Sequence, residues 1–304
     1  MLEQLSELIG KENILTNEPM SKHTSFHIGG PAGYYIQVRT KEQLMGVLRI
    51  LQDKGSPYYL IGNGSNLLVG DEGYDGVIVR LTGELAAILG PDEAGYITAG
   101  AGAMLSQVAY QAMESGFSGM EFAFGIPGTI GGAIVMNAGA YDGEMRLVVS
   151  SVRLLLPDLS EVEKSCEAME LGYRTSILKS KAYEGAIVLS VTLQLQQGNR
   201  TAIKAKMDEF SKLRQSKQPL EYPSAGSTFK RPNGHYAGKL IMDAGLQGYR
   251  IGDAQVSEKH CGFVINRGNA TAAEVRALMQ QVEDEVFETT GIELEPEVIF
   301  LGNF

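Results

Sequence analysis

The chain has 304 residues, 44% of them hydrophobic and 20% charged, an ordinary globular composition long enough for more than one lobe and far from the disordered class. Its net charge of −10 and pI near 5.0 argue against a nucleic-acid binder, which needs a basic footprint to displace counterions from phosphates. Only Cys166 and Cys261 occur, with no CxxC pair, so neither a disulfide framework nor a zinc site is indicated, and a reducing compartment fits best.

The first residues, MLEQLSELIGKEN, carry mixed charge and no long apolar run, so no secretory signal is expected. Residues 33–38 predict a strand, 41–54 an amphipathic helix with Leu44, Val47, Leu48 and Leu51 on one face, and 58–61 a second strand, a βαβ-like opening. Strands are expected at 76–81 and 96–99, a helix at 104–115, and strands again at SSVRLLL from Ser150 and AIVLSVTLQL from Ala186. The polar helical stretch 200–219 reads as a connector ended by Pro219 and Pro223. Beyond it the pattern restarts: a short helix at 237–244, a strand late in SEKHCGFVIN, a helix at 271–289 and the alternating IELEPEVIF as a closing strand. The fold class is α+β, divided as 1–199 (subdomains 1–65 and 66–199), a connecting helix 200–219, and a C-terminal domain 220–304.

Two stretches are rich in glycine. LIGNGSN, residues 60–66, follows a strand, and its Gly62-Asn63-Gly64 core allows positive φ and close backbone approach, with successive N–H groups suited to a pyrophosphate. It is not GxGxxG, because Leu67 stands at the third glycine position and no helix is evident after it; an ordinary hairpin loop uses Asn-Gly as readily. FGIPGTIGGAIVMNAGAYDGE, residues 124–144, holds glycines too densely for a core helix, which leaves a flat ligand lying on bare backbone or tight packing between lobes. The apolar run from Phe122 to Tyr141 has the length of a membrane span, but its glycines and Pro127 break a helix, so no insertion is expected.

Residues 225–267 hold six bases against three acids, +3 on a chain whose remainder is −13, a local field that draws anionic ligands. Within it, YPSAGSTFKRP sets Ser227 beside Lys230 and Arg231, either as a hydroxyl donor whose anion the cations favour or as a turn serine bonded to its own backbone. SxxK occurs at Ser227 and again at Ser176, but neither SDN nor KTG accompanies it. Arg174 in GYRTSILK suits bidentate carboxylate or phosphate binding, and a strand would put Glu295 and Glu297 of LEPEV on one face; alone, these also read as surface residues. The four histidines lack metal-ligand spacing, and no metal is expected.

In order along the chain, HTSFHIGGPA, LIGNGSNLLV, GIPGTIGGAIVMNAGAY, YRTSILK, AGSTFKRP, AGKLI, GYRIGDAQVSEKHCGFVIN and LEPEV resemble the UDP-N-acetylenolpyruvoylglucosamine reductase family. The resemblance implies a two-subdomain FAD-binding region of the vanillyl-alcohol-oxidase type plus a C-terminal α+β substrate-binding domain. It implies non-covalent FAD, NADPH as hydride donor and a UDP-sugar whose enolpyruvyl group is reduced for peptidoglycan synthesis in the cytoplasm. It assigns Gly62, Asn63, Gly64, Ser65 and Asn66 and then Gly125, Ile126, Pro127, Gly128, Thr129, Gly131, Gly132 and Ala133 to the cofactor. Tyr173, Lys230, Arg231, Lys259 and His260 fall to the substrate, and Arg174, Ser227 and Glu297 to catalysis, with Ser227 delivering the proton. His23 stands where the family often has Asn, Arg231 where Asn is common and Ile299 where Arg is frequent. The short span from Arg174 to Ser227 is similar to the family's shorter branch. Competing readings are an FAD oxidase, which has no reason to keep Ser227 with Arg174 and Glu297, and a non-catalytic flavin or nucleotide-sugar binder.

Overall fold

Seven α-helices interrupt a chain otherwise built of short strands: α1 (Leu2–Ile9), α2 (Lys41–Lys54), α3 (Leu105–Glu114), α4 (Ile130–Met136), α5 (Arg200–Lys217), α6 (Ala237–Asp243) and α7 (Ala272–Thr290). The computed structural model describes residues 1–304. α2 begins where the Thr40 hydroxyl accepts from Gln43 N and ends at Gly55 in the left-handed region, and it buries Leu44, Val47, Leu48 and Leu51 as the periodicity predicts. α7 opens on a Thr271/Glu274 capping box and closes at Gly291 (φ +71). Asp71 adds two acceptors, Oδ1 for Ala272 N at 2.7 Å and Oδ2 for Ala273 N at 2.9 Å.

Two compact units result, neither of them a single stretch of chain. Unit 1 comprises Met1–Ile14, Ile36–Gly62 and Val79–Arg214; unit 2 comprises Leu15–Tyr35, Asn63–Ile78 and Gln215–Phe304. The linear boundaries drawn above therefore cut across the packing. Unit 2 has its own core, in which Phe26, Ile28 and Leu68 from the N-terminal half lie with Phe229, Ile241, Val264, Leu278 and Val298. Apolar side chains from three separated segments must be enclosed together to leave water, and no local pattern announces that.

Unit 1 contains a five-stranded antiparallel sheet in the order Glu161–Ser165, Val149–Leu155, Ile187–Gln194, Tyr96–Gly100, Ile88–Leu89. A four-stranded sheet runs Ile14–Pro19, Pro31–Val38, Tyr74–Leu81, Tyr58–Ile61, so the two strands of the βαβ-like opening are not neighbours but have Tyr74–Leu81 between them. Unit 2 adds an antiparallel trio, Arg250–Ile251, Ala254–Val256 and Val264–Asn266, and a parallel pair, Leu67–Val69 with Ile299–Leu301.

Three expectations need correcting. Residues 2–9, read only for the absence of a signal, form α1 with Leu5 and Ile9 buried. The glycine-rich segment does contain a helix, α4, with Ile130, Ala133 and Ile134 buried and Asn137 (φ +41) ending it. Gly131 is admitted because its N–H donates to Ala101 O at 2.8 Å and a Cβ there would lie 3.0 Å from that of Ala101, so tertiary packing outweighs poor helix propensity. The closing strand is only Ile299–Leu301; before it, Pro296 makes a lone bridge to Phe229. Proline has no N–H to continue a ladder, and here it sits between two bonds it does not need to make, Lys230 N to Glu295 O and Glu297 N to Thr228 O, both 2.8 Å.

Candidate active site

In unit 1 the two glycine stretches meet. Gly62 ends the strand Tyr58–Ile61, and a Cβ built on it would stand 2.5 Å from Thr129 Oγ1, so only a bare Cα allows this approach. The main chain of residues 128–131 is pinned to residues 101–105 by Leu105 N to Gly128 O (3.0 Å), Ile130 N to Ala103 O (2.8 Å) and Gly131 N to Ala101 O. Thr129 is buried, whereas Gly125, Pro127 and Gly132 are exposed, leaving a rigid strip of nearly naked backbone. That surface fits a flat dinucleotide cofactor lying on main chain, the alternative that the glycine density left open. Arg214, at the end of unit 1, comes to Gly125 so closely that a Cβ there would lie 3.2 Å from its Cδ and Nη1. Burial lowers the Arg214 pKa, the Tyr141 phenol opposing this, so the cation is partly desolvated and its field on the strip strengthened.

The same helix that carries the strip positions Arg174. Asn137, 1% exposed, donates from Nδ2 to Gly172 O and to Glu144 Oε2, both at 3.0 Å, and accepts from Arg146 N at Oδ1 (2.9 Å). Gly172 and Thr175 close a tight turn through reciprocal N–H to C=O bonds, with Arg174 at φ +53 inside it. Ser176 Oγ donates to Val135 O, and Lys179 Nζ to Arg174 O. Ser176 and Lys179 thus serve the turn, which accounts for one of the two SxxK matches. The Arg174 guanidinium lies 5.2 Å from the centre of the exposed Tyr173 ring.

In unit 2 the fixed point is Thr228, 1% exposed. Its N–H donates to Gly262 O (2.8 Å), its Oγ1 accepts from Val264 N (2.8 Å) and its carbonyl accepts from Glu297 N (2.8 Å). Ser227, one residue earlier, is exposed, and Gly226 before it takes the turn at φ +80. Glu297 is held at both backbone poles, since its carbonyl also accepts from Asn66 Nδ2 at 3.0 Å. Ser227, Asn66 and Glu297 therefore belong to one bonded frame. Glu295 does not share the Glu297 environment: its side chain is 70% exposed and pairs with Lys230 Nζ.

The remaining predicted residues are more loosely placed. Arg231 stacks its guanidinium 4.4 Å over the exposed Tyr236 ring, Lys259 Nζ donates to Gln215 O and approaches Glu221, and the His260 Nδ1 accepts from Gly262 N at 3.1 Å. Burial lowers the His260 pKa and favours the neutral ring. Of the departures from the family pattern, His23 stacks on Tyr35 at 3.9 Å and meets Glu18 Oε1 at 3.1 Å, while Ile299 pairs with Leu67 in the parallel strand pair.

Residues 32–164 match the FAD binding domain family, and residues 218–301 match the family described as UDP-N-acetylenolpyruvoylglucosamine reductase, C-terminal domain. Over 304 aligned residues the chain is 47% identical to the UDP-N-acetylenolpyruvoylglucosamine reductase of Lachnoclostridium phytofermentans, covering 99% of this chain and 97% of that one. The chain belongs to the UDP-N-acetylenolpyruvoylglucosamine reductase family. The reductase of Clostridioides difficile strain 630 is likewise 47% identical, over 98% of this chain and 96% of its own. The crystal structure of the reductase from Thermus caldophilus superposes with a TM-score of 0.81 at 36% identity, covering 94% of this chain and 98% of that one. The family's architecture, an FAD-binding domain followed by a C-terminal domain, agrees with the FAD-binding region plus C-terminal domain expected from the sequence. No helix is long and apolar enough to cross a membrane.

Sequence reasoning missed Thr228, Asn137 and Arg214. A buried threonine directly after the candidate donor is silent in one dimension. Asn137 did carry a signal: an asparagine between an apolar helical run and Ala-Gly is a common left-handed helix terminus.

Proposed function

We infer that this chain reduces the enolpyruvyl group of UDP-N-acetylenolpyruvoylglucosamine to the lactyl ether of UDP-N-acetylmuramate, the activity of its family. Overall, NADPH supplies a hydride that ends on the vinyl C3, and a proton is added at C2. The relay of that hydride between NADPH and the substrate would be supplied by bound FAD. The strip of residues 125–133 with Gly62 would hold it, and Arg214 would offer a cation to its anionic parts.

Hydride addition at C3 leaves negative charge on C2 and the adjoining carboxylate, and stabilising that charge is the main electrostatic task. We assign Arg174 and Glu297 to it, the latter as the protonated carboxylic acid that can donate a hydrogen bond to the developing anion, and the C2 proton to Ser227. The carrying observation is the Glu297 N to Thr228 O bond, which holds Glu297 directly against the residue that follows Ser227. A serine is an adequate acid here only because a carbanion is far more basic than its alkoxide.

Lys230, Arg231, Lys259, His260 and Tyr173 we assign to the nucleotide sugar, supported by the +3 balance of the segment 225–267 that carries four of them. We assign FAD binding to residues 1–199 and substrate binding to 220–304, with 200–219 connecting them. That residues 15–35 and 63–78 share a core with 215–304 adds N-terminal segments to the substrate side. We assign the reaction to the cytoplasm, supported by its use of NADPH and a UDP-sugar.

The test is the visible spectrum of the flavin-loaded protein under anaerobic conditions, with NADPH added first and UDP-N-acetylenolpyruvoylglucosamine second. Bands that bleach and then return establish donor and acceptor. Bands that bleach and return only with oxygen favour an oxidase, and a protein that takes up no flavin removes the reading.

A further inference from the structure

Asn66 is expected from its motif to serve the cofactor, yet its side-chain amide is engaged within the protein. Nδ2 donates to Glu297 O, and the Asn66 carbonyl accepts from Ile299 N, each at 3.0 Å, so one residue grips the catalytic segment at two points. Two residues earlier, Gly64 O accepts from Ser25 N at 3.1 Å. Ser25 is in turn bonded twice to Ser224: its Oγ donates to Ser224 O at 2.6 Å, and its carbonyl accepts from Ser224 N at 3.1 Å. Ser224 lies three residues before Ser227. Two separate routes thus lead from one glycine turn to the two residues assigned to the anion and the proton in unit 2.

The turn itself is stiff. Gly64 stands at φ +61, and a Cβ on it would be 2.1 Å from His23 O, so its backbone is packed against the chain that carries Ser25. A rigid origin with two short hydrogen-bonded arms transmits position rather than absorbing it.

We propose that residues 63–66 act as a brace for the protonation chemistry within unit 2: Asn66 is the positioning residue for Glu297, and Ser25 is the positioning residue for Ser227. This rests on the functional reading above. The brace has a chemical reason. Anion stabilisation and C2 protonation act on adjacent atoms of one substrate, so the donor and the Glu297 carboxyl need a common reference, and misplacement by an ångström is costly in rate.

The test uses holoenzyme of the full chain with Asn66→Asp, which keeps the shape but loses the donor, Ser25→Ala, and Ser25→Thr, which restores a hydroxyl. Amide exchange read by mass spectrometry is expected to quicken about tenfold at residues 294–299 in Asn66→Asp, and at 224–229 in Ser25→Ala, with a smaller rise in the segment bonded to it. Reoxidation of the reduced flavin by UDP-N-acetylenolpyruvoylglucosamine should slow by about tenfold more than its reduction by NADPH in both, with Ser25→Thr recovering most of the loss. Unchanged exchange at these segments, or equal loss in both half-reactions, overturns the brace. If the unaltered protein holds flavin but is not reoxidised by that substrate, the functional reading fails and the brace with it. Normal turnover of the unaltered protein with no selective loss in the variants sinks the brace alone.

Discussion

The Arg174 turn and the Ser227 segment each lift a side chain proposed for catalysis from a buried polar anchor, but they place the backbone burden differently. Beside Ser227 the unusual conformation falls on Gly226, φ +80, and Thr228 ties the segment to three neighbours, so the serine adds no strain of its own. Arg174 carries φ +53 itself, which costs a non-glycine residue about 1 kcal/mol, and the turn around it leans on the Asn137 amide. One region separates function from strain; the other combines them and depends on a buried network for it. Mutations should therefore injure the first through chemistry and the second through both chemistry and stability.

The sharpest test of that contrast is Ser227→Ala. Flavin reduction by NADPH should persist while reoxidation by the enolpyruvyl substrate falls about a thousandfold, with unfolding unchanged, as stopped-flow absorbance and urea titration would show. Equal loss in both steps would remove the proton-donor role. Arg174→Lys comes next: a lysine cannot present the planar fork, so kcat/KM for the enolpyruvyl substrate should fall about a hundredfold while the NADPH step holds.

Asn137→Ala reaches Arg174 indirectly. It leaves Gly172 O, Arg146 N and the Glu144 carboxylate without their amide partner, and should cost about 3 kcal/mol by urea unfolding along with a loss of substrate turnover. Full stability with lost activity would show that Asn137 does not carry the turn.

The smallest effect concerns His260. Burial holds its pKa below the ordinary 6.5, so the unfolded chain takes up a proton that the folded protein resists. Its contribution is fully present above about pH 6.5 and is lost as the pH falls through the lowered folded value. His260→Asn, with Oδ1 in place of Nδ1 as acceptor for Gly262 N, should make stability measurably less pH-dependent just below 6.5, by denaturant titration across that range.

Much of this molecule was legible in one dimension because the signals are local. The apolar stripe of α2, its Thr40 start and Gly55 stop, and the Thr271 box of α7 are set by neighbours within a turn of helix, and structure follows them nearly to the residue. The ordered motifs from HTSFHIGGPA to LEPEV were equally readable, and with them the family. What packing alone decided concerns residues that never meet in sequence. Gly131 and Gly132 join a helix because residues 101–105 receive their segment, and residues 15–35 and 63–78 enter the core of unit 2 because its apolar faces need covering. Asn66 finds Glu297 across 231 positions, a hydrogen bond that exists only once both are withdrawn from competing water.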